Sequence, residues 1–210
     1  MSVENVLARI AELHQGLVPP TTAATSATGT QFATMLQDQA TSSTGIAGAA
    51  GTATPLGFST GTATAGQRAL TLAQGEVGQA EQPPGSNDSP RIADYRTATA
   101  GSGIGPWCAY FVSWAAQQSG APLGEAGQGF GSVSALSAWA QRTGRWNPAA
   151  SGTPPQAGDL IVWGAQHIGI VESVDADGKI HTIEGNSSNA VTRRTHDASG
   201  DGATGYVRLG

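Results

Sequence analysis

Cys108 is the only cysteine of the 210-residue chain, set in the stretch GPWCAYFVSWAAQQSG, residues 105–120. A single thiol makes no intramolecular disulfide, which leaves packing or chemistry as reasons to keep it. The apolar pattern after Pro106 predicts a helix that Pro106 starts and that Gly120 and Pro122 end. Cys108 is then the third helical residue. First-turn N–H groups lack helical partners and the helix dipole is positive there, and both favour thiolate over thiol. Use of that thiolate as a nucleophile requires a base and a group that orients the base.

The stretch HIGIVESVDADGKIHTIEGN, residues 167–186, supplies both. Asp177-Gly178 is a two-residue turn signal, and a hairpin closed there pairs Ala176 with Lys179, Val171 with Glu184 and Gly169 with Asn186. Opposed residues share a face and faces alternate along a strand. His167, Gly169, Val171, Glu184 and Asn186 therefore share one face. Ile168, Ile170, His181 and Ile183 share the other, which is mostly apolar and core-facing. Gly169 leaves open space between His167 and Asn186, and a slip of one residue would destroy the arrangement.

These residues need a scaffold. Before the Cys108 helix, Leu70, Ala73 and Val77 mark a helix near the expected domain start at Gln67. SPRIADYRTATAG follows as a second, with Ser89 as N-cap, Pro90 at the first helical position and Gly101 after the end. A fourth helix carries Val133, Leu136, Trp139 and Ala140 and stops at Gly144. After the proline-rich loop the pattern becomes strand-like: LIVW, HIGIVESV, KIHTIE, AVTRRT and GYVRL. Helices followed by an antiparallel sheet of about five strands make an α+β domain over residues 67–210.

The remainder is an appendage. Val3, Val6, Leu7, Ile10, Leu13 and Leu17 form a helical stripe that Pro19-Pro20 stops, and a second short helix carries Phe32, Met35 and Leu36. Residues 1–40 are thus a helical appendage that suits docking on a protein partner. Residues 41–66, rich in Ala, Gly and Thr, form a flexible linker.

Charged residues are 12% of the chain and the net charge is −5, which argues against a nucleic-acid partner. No apolar run approaches the ~20 residues that span a bilayer. The N-terminus has neither a basic leader nor an apolar core of the kind a secretory signal carries.

The blocks PWCAYFVSW, GDLIVW and HIGIVESVDADGKIHTIEGN occur in the order seen in the CHAP domain (cysteine, histidine-dependent amidohydrolase/peptidase), which residues 75–210 resemble. The related NlpC/P60 family lacks the E-x-N block present here as Glu184-Gly185-Asn186. The segment EQPPGSNDSPRIADY resembles the stretch before the nucleophile in phage-type wall hydrolases. The resemblance implies a papain-like fold and an enzyme that cleaves an amide bond of bacterial peptidoglycan, as an amidase or an endopeptidase. It implies Cys108 as nucleophile, His167 as general base, and Glu184 or Asn186 as the group orienting the imidazole. No cofactor is implied. Trp107 and Trp163 flank the two catalytic elements and are candidate cleft walls for substrate, or core residues. The substrate lies outside the membrane, so export proceeds by a route such as phage-type release or flagellar-type export, for which the N-terminal helices are a candidate address.

Other readings of the same residues are weaker. Residues 173–184 approximate an EF-hand loop, but its first position is Ser173 and its flanks read as strands. A zinc site needs clustered histidines; of the four, His181 is expected on the face opposite His167, and His14 and His196 are expected to face solvent. A non-catalytic wall-binding or structural module on the same scaffold is the alternative function. It has no use for Cys108, His167 and Glu184 together.

Overall fold

The computed structural model describes residues 63–101 and 103–209, all within a compact unit that starts at Ser59. The two expected N-terminal helices and most of the expected linker lie outside the described residues. Among these residues the helices come first: α1 (Ala65–Gly75), α2 (Pro90–Arg96), α3 (Cys108–Gln118) and α4 (Val133–Arg142). The strands follow as β1 (Trp146–Pro148), β2 (Leu160–Trp163), β3 (His167–Val174), β4 (Ile180–Ser187), β5 (Ala190–His196) and β6 (Gly205–Val207). They form one antiparallel sheet of order β1-β6-β2-β3-β4-β5. The class is α+β. β2 to β5 are the expected meander, and β6 crosses back to pair with β2. The sixth strand, β1, carries little strand signal because it is three residues long and contains Pro148.

Local chemistry sets the helix starts. Thr64 caps α1 through a reciprocal pair, accepting from the Gln67 N–H at 3.2 Å while its own N–H donates to Gln67 Oε1 at 2.9 Å. The first helix therefore begins two residues before Gln67. Ser89 accepts from the Ile92 N–H and Ser132 from the Ala135 N–H, which starts α2 and α4. No side chain caps α3. Its N-cap is Trp107, held at φ −115° and ψ 13° while its indole N–H donates to buried Glu81 at 2.9 Å. This non-helical backbone delays the helix, so Cys108 is its first residue and not its third.

α3 is buried on every side from Cys108 to Ala116, as a central helix must be. Tyr95 from α2 packs against Trp107, Phe111 and Trp114 with ring centroids 5.9, 5.3 and 5.1 Å apart. Below it lies one face of the sheet, with Leu160, Val162, Ile168, Ile170, Ile183 and Val207 in the same core. The other face carries a smaller cluster of Ile161, Val171, Ile180 and Tyr206, with Trp163 packed against it. Gly185 lets β4 approach α3 closely: a Cβ there would lie 2.7 Å from Phe111 Cβ.

The β3–β4 register corrects the expected hairpin twice. Asp175 and Lys179 close the turn, with Gly178 at φ 87°, so the loop has three residues and not two. A type I turn followed by a left-handed residue is the common three-residue solution. It slips the register by one, pairing Ser173 with His181. A bulge between Val171 and Ser173 then slips it by one more, so Val171 opposes Thr182 and Ile170 opposes Ile183. Two slips restore the parity of the faces. His167 and Glu184 still share a face, although Val171 does not oppose Glu184. The space expected over Gly169 is filled: a Cβ there would lie 2.7 Å from Glu184 Cγ.

Candidate active site

α3 delivers Cys108 at its first residue, only 3% exposed. The backbone N–H of a first helical residue has no partner inside the helix. β3 starts at His167, which meets Trp163 on β2 in register, and the two rings stack with centroids 5.5 Å apart. Cys108 and Glu184 both lie close enough to the His167 ring to act on its charge. Nε2 is taken by Glu184 Oε2 at 2.9 Å, so Nδ1 is the ring nitrogen not engaged by the carboxylate.

Glu184 is nearly fully buried, and both its oxygens are occupied. Oε1 accepts from Thr182 Oγ1 at 2.6 Å and from His196 Nε2 at 2.8 Å. Burial alone would raise its pKa. Hydrogen bonds from His167, Thr182 and His196, with the charge of His167, outweigh burial and hold the carboxyl down at about 2. For His167, burial opposes the charged ring, but hydrogen bonds to Cys108 and Glu184 and their charges lift it to about 9. The site thus keeps an ionised carboxylate and a protonated imidazole side by side at neutral pH.

Cys108, His167 and Glu184 are brought together. Asn186 is not the residue bonded to the ring; it sits in the bulge between Glu184 and Ser187 at φ 59°. Trp107 is fully buried between Tyr95 and Glu81, so it has no surface to offer a substrate and is a core residue. Trp163 is half-buried beside the imidazole, with its indole N–H on the Gly200 carbonyl at 2.7 Å. The EF-hand-like acids diverge: Asp175 pairs with His181, Asp177 with Lys179, and Glu184 with two histidines.

Sequence reasoning missed three neighbours. His196 is not solvent-facing; its side chain is 13% exposed and bonded to Glu184 and to Asp201. Thr182 and Asp201 were also unmarked. Their signal lies in the β4–β5 turn, where Ser188 and Asn189 both take positive φ (55° and 61°) and set a two-residue hairpin. The bulge before it hides the resulting register. Glu81 is a fourth: its carboxylate holds the Trp107 indole and the Asn87 N–H, and its own N–H donates to the Asn189 carbonyl. It thereby ties the residue before Cys108 to the end of the hairpin that carries Glu184.

This fold and site define an α+β domain with a Cys–His–carboxylate cluster where the central helix meets the sheet. The family model of the CHAP domain matches residues 99–186, from the loop before α3 through β4. The solved structure of the peptidoglycan hydrolase RipB from Mycobacterium tuberculosis is similar at 19% identity, covering 90% of this chain and 86% of that one, with a TM-score of 0.40. A search of the curated proteins finds no match.

Proposed function

We propose that this chain is a peptidoglycan hydrolase that cuts an amide bond of the cell-wall peptide with Cys108 as nucleophile. The CHAP-domain match over residues 99–186 supports the substrate class. One observation carries the mechanism: the His167 ring is bonded through Nε2 to buried Glu184 at 2.9 Å and lies close enough to Cys108 for the two side chains to act on each other.

The Cys108 sulfur attacks the amide carbonyl carbon. The carbonyl electron pair moves to oxygen, where the Cys108 backbone N–H at the start of α3 donates to it. Collapse of this intermediate breaks the C–N bond, and His167 gives its proton to the leaving amine. His167, now neutral, takes a proton from water. The hydroxide attacks the thioester, the acid product leaves, and the thiolate–imidazolium pair is restored. Glu184 keeps the ring oriented and stabilises its charge, while Trp163 walls the cleft beside it. Residues 67–210 are the catalytic domain, and residues 1–66 carry the chain to a site of action at the cell wall.

Digestion of purified peptidoglycan followed by mass spectrometry of the fragments tests this. Wild-type protein is expected to release fragments and Cys108→Ala none. A free lactyl carboxylate on muramic acid identifies an amidase, and a new peptide terminus identifies an endopeptidase. Equal digestion by the alanine variant overturns the cysteine mechanism.

A further inference from the structure

We propose that His196, anchored by Asp201, is a positioning residue for the reaction, acting through Glu184. This rests on the hydrolase reading above. A carboxylate turns easily about its last torsion, so a single bond to His167 would not hold it. Here the second oxygen is pinned by His196 Nε2 at 2.8 Å and Thr182 Oγ1 at 2.6 Å, which fixes the direction in which Oε2 meets His167.

His196 is itself held on two sides. Its Nδ1 lies 2.9 Å from Asp201 Oδ2, and its ring packs on Trp163 with centroids 4.9 Å apart. Trp163 also stacks on His167, so one indole braces both histidines. The 197–202 loop supplies both outer anchors, through Asp201 and through the Gly200 carbonyl that receives the Trp163 N–H. Asp197 shapes that loop by accepting from the Ser199 and Asp201 N–H groups at 2.8 and 3.0 Å. The titratable and charged groups around the cluster are Cys108 from α3, Glu184 from β4, and Asp197 and Asp201 from the loop. Arg194 on β5 shares the face, but its guanidinium is taken by Ser187 and Ser188.

The test compares His196→Leu, which fills the space without hydrogen bonds, with His196→Gln, which keeps a donor towards Glu184. Leu is expected to lower kcat roughly tenfold, the scale of one lost hydrogen bond to a charged group, with KM unchanged. It should also move the basic limb of the pH–rate profile to lower pH, and Gln should restore most of both. Asp201→Asn, which keeps an outer partner but removes its charge, should shift the limb part of the way and serves if His196→Leu does not fold. A kcat and basic limb equal to wild type in His196→Leu overturn the proposal, as does a fall in Tm with an unmoved limb. Cys108→Ala is assayed alongside. If it still cuts walls, the hydrolase reading falls separately, and the pH profile of Cys108 alkylation by iodoacetamide decides the role of His196, because that readout needs no substrate.

Discussion

At the scale of single residues, the proposed mechanism rests on Glu184 and His167 stabilising each other's charge. The consequence for pH has a definite sign. His167 is raised from its ordinary 6.5 to about 9, so it stabilises the fold below 6.5 and that contribution disappears as pH climbs through 9. Glu184 is lowered from 4.5 to about 2, so its contribution is complete above 4.5 and disappears as pH falls towards 2. The pair's stabilisation is therefore fullest between 4.5 and 6.5, which thermal unfolding across pH will show as a Tm maximum in that window. Wall cleavage is expected to decline above about pH 9, as His167 loses the proton that the leaving amine needs. Glu184→Gln removes the charge that supports the imidazolium. Its basic limb should move towards 6.5, and kcat/KM should fall by roughly 10²-fold or more.

At the scale of elements, the site depends on close approaches that only glycine permits. Gly169 lies under the Glu184 side chain, so Gly169→Ala should displace that carboxylate. Activity is expected to fall at least tenfold, about one lost charged hydrogen bond, and Tm should fall as well, because the displaced carboxylate no longer stabilises the His167 charge. At Gly158, at φ 91°, a Cβ would lie 2.3 Å from the Gly66 carbonyl carbon. Gly158→Ala should therefore destabilise the fold by about 1–3 kcal/mol, read by urea unfolding, because the N-terminal turn of α1 loses its seat. Much of this level is legible from sequence. Ser89-Pro90 announces α2, the alternation in β2 and β3 announces the meander, and the parity of the 167–186 hairpin puts His167 and Glu184 on one face. The turn length was misread, because Asp-Gly also fits a three-residue loop with a left-handed glycine. The face assignment survives only because the bulge after Val171 adds a second slip. His196 was illegible for a related reason. β5 reads AVTRRTH, polar on both faces, and a strand without an apolar side does not declare its register.

At the scale of the whole molecule, the described residues have their own core and caps, and α1 begins at Ala65, capped by Thr64, ahead of the expected domain start at Gln67. A chain lacking residues 1–62 should retain the Tm and the wall-cleaving activity of the full chain. A chain lacking residues 1–66 loses the Thr64–Gln67 capping pair and should be less stable by about 1 kcal/mol. Loss of activity on purified walls in the first truncation would make the N-terminal segment part of the enzyme and not its means of delivery. Among the described residues no helix is long and apolar enough to cross a membrane. The account as a whole turns on an imidazole activating one sulfur, and the rate at which iodoacetamide alkylates Cys108 at pH 7 in the folded wild-type protein and in His167→Ala reads this directly. Rapid alkylation of the wild type, with a rate at least tenfold lower without the imidazole, is the predicted result, about the worth of one charged hydrogen bond. Equal rates in two folded proteins would contradict it.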